Sequence, residues 1–197
     1  MVVRASKLEP ATLADLEVLP PHLEGELIDG VLYAMTRPRP AHPLVAMAML
    51  ADVYPGWHPG RGGPGGWWIV PGPGLQLPGA EAICPDVAGW KRTRMPGPPR
   101  EVPFTLVPDW VCEILSPSTR RHDLLIKLPF YARAGVAWCW MVDLDGEVVS
   151  AFRHDEGTWR LEGSFGDEHE ARVPPFDAIS VDLAAWWAGL GESAEPA

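Results

Sequence analysis

Lysine and cysteine are both scarce. Only Lys7, Lys91 and Lys127 carry an ammonium in 197 residues, and the only thiols are Cys84, Cys112 and Cys139. An odd cysteine count without any CxxC spacing excludes a disulfide framework and a cysteine-based zinc site. The expectation is three buried free thiols in a reducing compartment. The amino terminus lacks the apolar core of a signal peptide. No apolar run reaches the ~18 residues of a membrane span. The chain is therefore expected to be cytoplasmic, with no membrane partner. The six histidines show no HxxxH pattern, no GxSxG nucleophile elbow occurs, and the glycine-rich stretches lack the Lys-Ser/Thr of a phosphate-binding loop. Positive charge is in deficit too: 26 acidic against 16 basic residues leave a net charge of -10. Such a balance repels phosphate at long range, although salt screens it beyond about 8–10 Å. Binding to nucleic acid would need local basic patches.

What is plentiful is apolar and loop-forming. Hydrophobic residues make up 47 % of the chain, with ten Trp, 20 Gly and 23 Pro. A sizeable core linked by stiff loops follows, and the length suits one domain over 1–197 with a core of about 10–188 and frayed ends. Thr12 and Asp15 have capping-box spacing for a short helix ending before Pro20-Pro21. Asp29-Gly30 between two apolar runs predicts a hairpin over 26–35. Residues 43–53 read as a helix with Pro43 in its first turn. Residues 55–66, nine of them Gly or Pro, read as a loop. Strands are expected at 67–70, 74–77 and from Asp86, with a second Pro-rich loop at 94–103. Trp110 to Leu115 is apolar on both faces and predicts a central strand. A helix should follow Ser116-Pro117-Ser118-Thr119 and stop at Gly135, with Pro129 kinking it. Strands at 138–142, 148–153 and 157–162 and an Asp182-capped helix over 183–190 complete a mixed α/β chain.

Glu113 is the conspicuous residue. A carboxylate inside an apolar strand is costly unless it is paired or binds a metal. Alternation puts it on the face of Val111 and Leu115. Asp86 opens a neighbouring strand; alone it is as readily a turn or capping residue. Together the two carboxylates suit Mg²⁺, which takes few protein ligands and keeps several waters. Water polarised by such an ion attacks phosphodiesters. Lys127 lies four residues after Asp123 on a helix face. An ordinary surface ion pair explains that spacing; so does a cation that reaches the metal-bound water or the phosphate. Lys91, Arg92 and Arg94 follow the Asp86 strand and Arg120 and Arg121 follow the Glu113 strand, either as solvated loop charge or as contacts for a phosphate backbone. His42, just ahead of a helix, is either its cap or directed at the site.

The run Pro108-Asp109-Trp110-Val111-Cys112-Glu113-Ile114-Leu115-Ser116-Pro117-Ser118 resembles the signature of the Uma-type restriction endonuclease family, long catalogued as a domain of unknown function. The resemblance continues through Asp123, Lys127, Tyr131 to Val136 and Trp140 to Asp143. It extends upstream to Glu26-Leu27-Ile28-Asp29-Gly30 and Pro85-Asp86-Val87. It implies a PD-(D/E)XK restriction-endonuclease-like fold, a mixed β-sheet flanked by helices. It implies a Mg²⁺- or Mn²⁺-dependent endonuclease acting on DNA, with Asp86 and Glu113 as metal ligands and Glu26 as an accessory acid. The usual motif places Lys two residues after the Glu, where this chain has Leu115; the resemblance implies that Lys127 replaces it. By analogy, a homodimer is a possible assembly. The alternative is an inactive nuclease-fold relic that binds metal or nucleic acid.

Overall fold

A computed structural model describes residues 2–4, 10–36, 41–98, 100–188 and 190. Eleven strands among them form two sheets. The five-stranded sheet contains β1 (Val2–Arg4), β2 (Leu23–Ile28), β3 (Val31–Thr36), β5 (Leu75–Leu77) and β6 (Ala80–Ile83), in the order β1-β3-β2-β6-β5. The six-stranded sheet runs β11-β10-β9-β8-β7-β4, from β4 (Trp67–Pro71), β7 (Val87–Lys91), β8 (Trp110–Leu115), β9 (Trp138–Asp143), β10 (Val148–Asp155) and β11 (Thr158–Phe165). The class matches the sequence reading, although two sheets replace the single one expected.

Local chemistry explains most elements. Thr12 and Asp15 form the capping box of α1 (Leu13–Glu17). Asp29 and Gly30 both take positive φ, as a two-residue hairpin turn between β2 and β3 requires. β8 and β9 are parallel, because the helical connection between them carries the chain back to the end of the sheet at which β8 began. That connection contains α3 (Arg120–His122), a π-helical segment (Asp123–Lys127) and α4 (Leu128–Ala134). Gly135 ends α4 in the left-handed conformation, φ 82°.

Several expectations need correction. Helix α2 runs Ala41–Trp57, so the Pro55-Gly56-Trp57 stretch is helical rather than loop. Burial of Val53 and Trp57 in the core outweighs the poor helix propensity of that stretch. The short strands β1 and β6 were not anticipated. Pro129 does not kink a regular α-helix. The turn before it widens into the π segment, where the Leu128 N–H bonds to the Asp123 carbonyl, and Pro129 then occupies the first turn of α4. Helix α5 is shorter than expected, Leu183–Trp187, and Asp182 accepts from the Ala185 N–H as its cap. Of the expected frayed ends outside about 10–188, residues 1, 5–9, 189 and 191–197 lie outside the described residues.

Two cores flank the central strand. Trp110, Cys112 and Ile114 pack with α2 and α5. On that side Trp57, Trp67, Trp110 and Trp140 all bring their rings to within 4.8–5.5 Å of the Phe176 ring. Val111 and Leu115 face the other way, into a core with Phe130 and Tyr131 of α4 and with β5 and β6. The segment Cys84-Pro85-Asp86 carries the chain from one sheet to the other, directly after β6 and before β7.

Candidate functional site

All six residues of β8 are buried, so Glu113 is a carboxylate in an apolar strand, 2 % exposed. The helical connection supplies its compensation. The Tyr131 hydroxyl donates to Glu113 Oε1 at 2.5 Å, and Lys127 Nζ lies 2.8 Å from the same oxygen. Lys127 Nζ is also 3.0 Å from Glu26 Oε1 and donates to the Cys84 carbonyl at 3.0 Å. Three oxygens thus surround an ammonium that has three N–H donors. Glu26, on β2, accepts the Cys84 N–H at 3.0 Å and has His122 Nε2 2.7 Å from its other oxygen. The sheet register creates this meeting: β2 pairs with β6, Leu27 opposite Ala82, which places Glu26 beside Cys84.

Asp86 completes the group. Its Oδ2 accepts the Ile114 N–H at 2.7 Å, which ties it to the residue next to Glu113. His42 Nε2 lies 3.0 Å from the same oxygen. A cavity of about 350 Å³ is lined by Glu26, His42, Cys84, Asp86, Glu113 and Lys127, among others. The structure therefore brings together all four residues singled out as catalytic. Asp123 and Lys127 are each only 4 % exposed, so the surface ion pair that their spacing suggested is not what forms.

The electrostatics follow from burial. Desolvation, reinforced by Asp86, Asp123 and Glu26 and opposed by Lys127, pushes the Glu113 carboxyl well above its usual range. Burial also works against the Lys127 charge, but Glu113, Glu26, Asp123 and Asp86 outweigh it and hold its pKa well above that of a free lysine. Glu26 behaves oppositely to Glu113. Burial would raise it, yet Lys127, His122 and the Cys84 N–H prevail and lower its pKa. Asp123 is raised to about 6, by burial first, against Lys127 and a hydrogen bond from Thr119.

The donor set fits a hard divalent cation in kind. One oxygen of Asp86 and one of Glu113 are held by protein groups. Among the described residues no hydrogen bond or ion pair engages the other two, Asp86 Oδ1 and Glu113 Oε2. Both carboxylates line the cavity. No group of three or more His, Cys, Asp or Glu among the described residues is arranged to hold a metal. Structural zinc, which needs four protein ligands, finds no site among the described residues, whereas Mg²⁺ binds through one or two carboxylates and keeps its waters.

The basic residues divide. Lys91, Arg92 and Arg94 lie at the far end of β7, about 16 Å along the strand from Asp86, and none lines the cavity. Arg92 donates to the His58 and Trp67 carbonyls at 2.5 and 3.2 Å and stacks over Trp68. Arg94 donates to the Val107 carbonyl at 3.2 Å and pairs with Asp109 at 3.1 Å. Lys91 lies over the Trp67 ring. Arg120 pairs with Asp143 at 2.6 Å, and Arg121 is exposed beside it; neither lines the cavity, but both start the helix that carries Lys127 and directly follow Thr119 of the cavity wall. Of the cysteines, Cys112 and Cys139 are buried as expected, but Cys84 is exposed, because it sits in the crossing between sheets rather than in a strand.

Sequence reasoning missed His122 and Tyr131 as parts of the site. Tyr131 had a usable signal: positions 123, 127 and 131 repeat every four residues along one helical face. His122 had none, being 96 residues from the Glu26 it touches.

A family model described as "Uma2: Putative restriction endonuclease" matches residues 11–184. No curated protein matches. Among solved structures, one described as "a putative nuclease belonging to DUF820" from Anabaena variabilis ATCC 29413 is similar. It is 22 % identical, with a TM-score of 0.65, and the alignment covers 90 % of this chain and 98 % of that one. At that identity the likeness is one of fold. No helix among the described residues is long and apolar enough to cross a membrane.

Proposed function

Since this chain belongs to the Uma2 family, we propose that it is a Mg²⁺- or Mn²⁺-dependent nuclease hydrolysing phosphodiester bonds of DNA. The observation that carries the reading is the convergence of Asp86, Glu113, Glu26 and Lys127 on one cavity from four separate elements. Asp86 and Glu113 would hold the metal, since each keeps one carboxylate oxygen without a protein partner among the described residues. When bound, the ion supplies Lewis-acid polarisation of the phosphate and an ionised water as nucleophile. Lys127 keeps its proton at Nζ and offers positive charge where the phosphorane charge develops. Glu26 does not compete for the metal. Its two oxygens are occupied by Lys127, the Cys84 N–H and His122, so it orients Lys127. Leu115, where the usual motif has Lys, is 3 % exposed in the apolar core and takes no part. In this reading the DNA backbone is met by Arg120 and Arg121, which are exposed and follow Thr119 of the cavity wall.

Plasmid DNA incubated with Mg²⁺ or Mn²⁺, in parallel with Glu113→Ala, tests this. Metal-dependent nicking by the wild type and its loss in the variant are expected. Equal activity in both would remove Glu113 from the mechanism. The relic reading draws on one feature, the ammonium of Lys127 held by three protein oxygens. Mn²⁺ binding without any cleavage would favour it.

A further inference from the structure

We propose that Tyr131 is a positioning residue that decides which oxygen of Glu113 receives the metal. This rests on the metal-site reading above and goes beyond it. Glu113 has two oxygens and no intrinsic reason to present one rather than the other. Tyr131 and Lys127 come from one helical face, four residues apart, and both engage Oε1. Oε2 is left as the oxygen without a protein partner among the described residues, and Glu113 lines the cavity. The carboxylate is thus pinned as a one-oxygen ligand before any metal arrives.

Tyr131 packs its ring in the core beside Phe130 and directs its hydroxyl at Glu113. Its side chain is fully buried, with 0 % exposure, and a buried phenol needs a partner for its O–H. Glu113 provides that partner, and the charge-assisted bond lowers the cost of keeping a carboxylate inside the sheet. A π segment immediately precedes the helix that carries Tyr131. The widened turn Asp123–Lys127 ends at Lys127, and the regular turn of α4 that follows keeps Lys127 and Tyr131 four residues apart on one face, directed at the same oxygen. Insertions of this kind inside helices recur at functional sites.

The pairing predicts a specific defect. Removing only the hydroxyl leaves Glu113 held by Lys127 alone and free to rotate about its terminal bond. Partners that orient metal ligands typically contribute 10–100-fold in affinity. Tyr131→Phe is therefore expected to weaken Mn²⁺ binding by roughly tenfold, measured by calorimetry on the full chain. Cleavage should fall at limiting Mn²⁺ and recover towards wild type when the ion is raised. Phe130→Leu is the packing control, since Phe130 lies in the same core and the Tyr131 hydroxyl is untouched. It should lower the melting temperature without moving the Mn²⁺ affinity. If wild type binds Mn²⁺, Glu113→Gln abolishes binding and Tyr131→Phe binds as wild type does, the positioning role is wrong and the metal site stands. If wild type binds no Mn²⁺, the metal-site reading fails and this inference fails with it.

Discussion

Lys127 Nζ lies 2.8 Å from Glu113 Oε1, both side chains almost fully buried, one from a π-helical turn and the other from the central strand. Neither charge is tolerable there without the other, and that mutual dependence has measurable consequences.

Lys127→Met should destabilise the fold by about 3–5 kcal/mol, because it leaves Glu113 and Glu26 as uncompensated buried acids. Urea denaturation at pH 7 measures this. The double variant Lys127→Met with Glu113→Gln should recover much of the loss, since it removes both members of the pair. A double variant no more stable than Lys127→Met alone would show that the cost is packing, not charge.

Asp123 gives a pH dependence of defined sign. Its folded pKa, about 6, is above the ordinary 3.8. The folded state therefore holds the proton more tightly, and the cost of ionising it against folding builds as pH rises above the unfolded value and is complete once pH exceeds the folded one. Stability should fall as pH rises from about 4 to 6. Asp123→Asn should then be stabilising at pH 7, by at most about 3 kcal/mol, and the gain should vanish near pH 4. A gain that is independent of pH would argue against the raised pKa.

Gly135 closes the helix that carries Lys127 and Tyr131, at φ 82° with no heavy atom within 4 Å of the place a Cβ would take. Gly135→Ala meets no steric clash, only backbone strain. A loss of roughly 1–2 kcal/mol is expected, read from the urea midpoint. Little change in cleavage should accompany it.

Arg92 and Arg121 should separate in DNA binding. Arg121→Ala is expected to weaken binding and to reduce the slope of log affinity against log salt by about 1. Arg92→Ala should leave that slope alone and lower stability, because its guanidinium ties the His58 and Trp67 carbonyls to Trp68. Binding titrations at several salt concentrations decide the matter; a salt slope lowered by Arg92→Ala would put that end of β7 in the DNA interface.

Much of this was legible in the residues themselves. Apolar neighbours on both sides of Glu113 marked a central strand. Asp-Gly marked the first hairpin, and the Thr12 and Asp182 caps marked their helices. These features depend on side-chain chemistry within a few residues, which sequence displays directly. Helix α2 past Pro55 was not legible, because its stability comes from Val53 and Trp57 meeting a core built from distant strands. The π segment was not legible either: Pro129 announced a disturbance, but a kink and a widened turn satisfy it equally. Sequence alone determined which carboxylates and which lysine were available and that Glu113 needed compensation. Only the tertiary structure decided what compensates it. Pairing of β2 with β6, the crossing at Cys84-Pro85-Asp86 and the phase of the helix after β8 bring Glu26, Lys127 and Tyr131 to one place, and contacts between residues as far apart as 26 and 122 are set by register and packing, not by spacing along the chain.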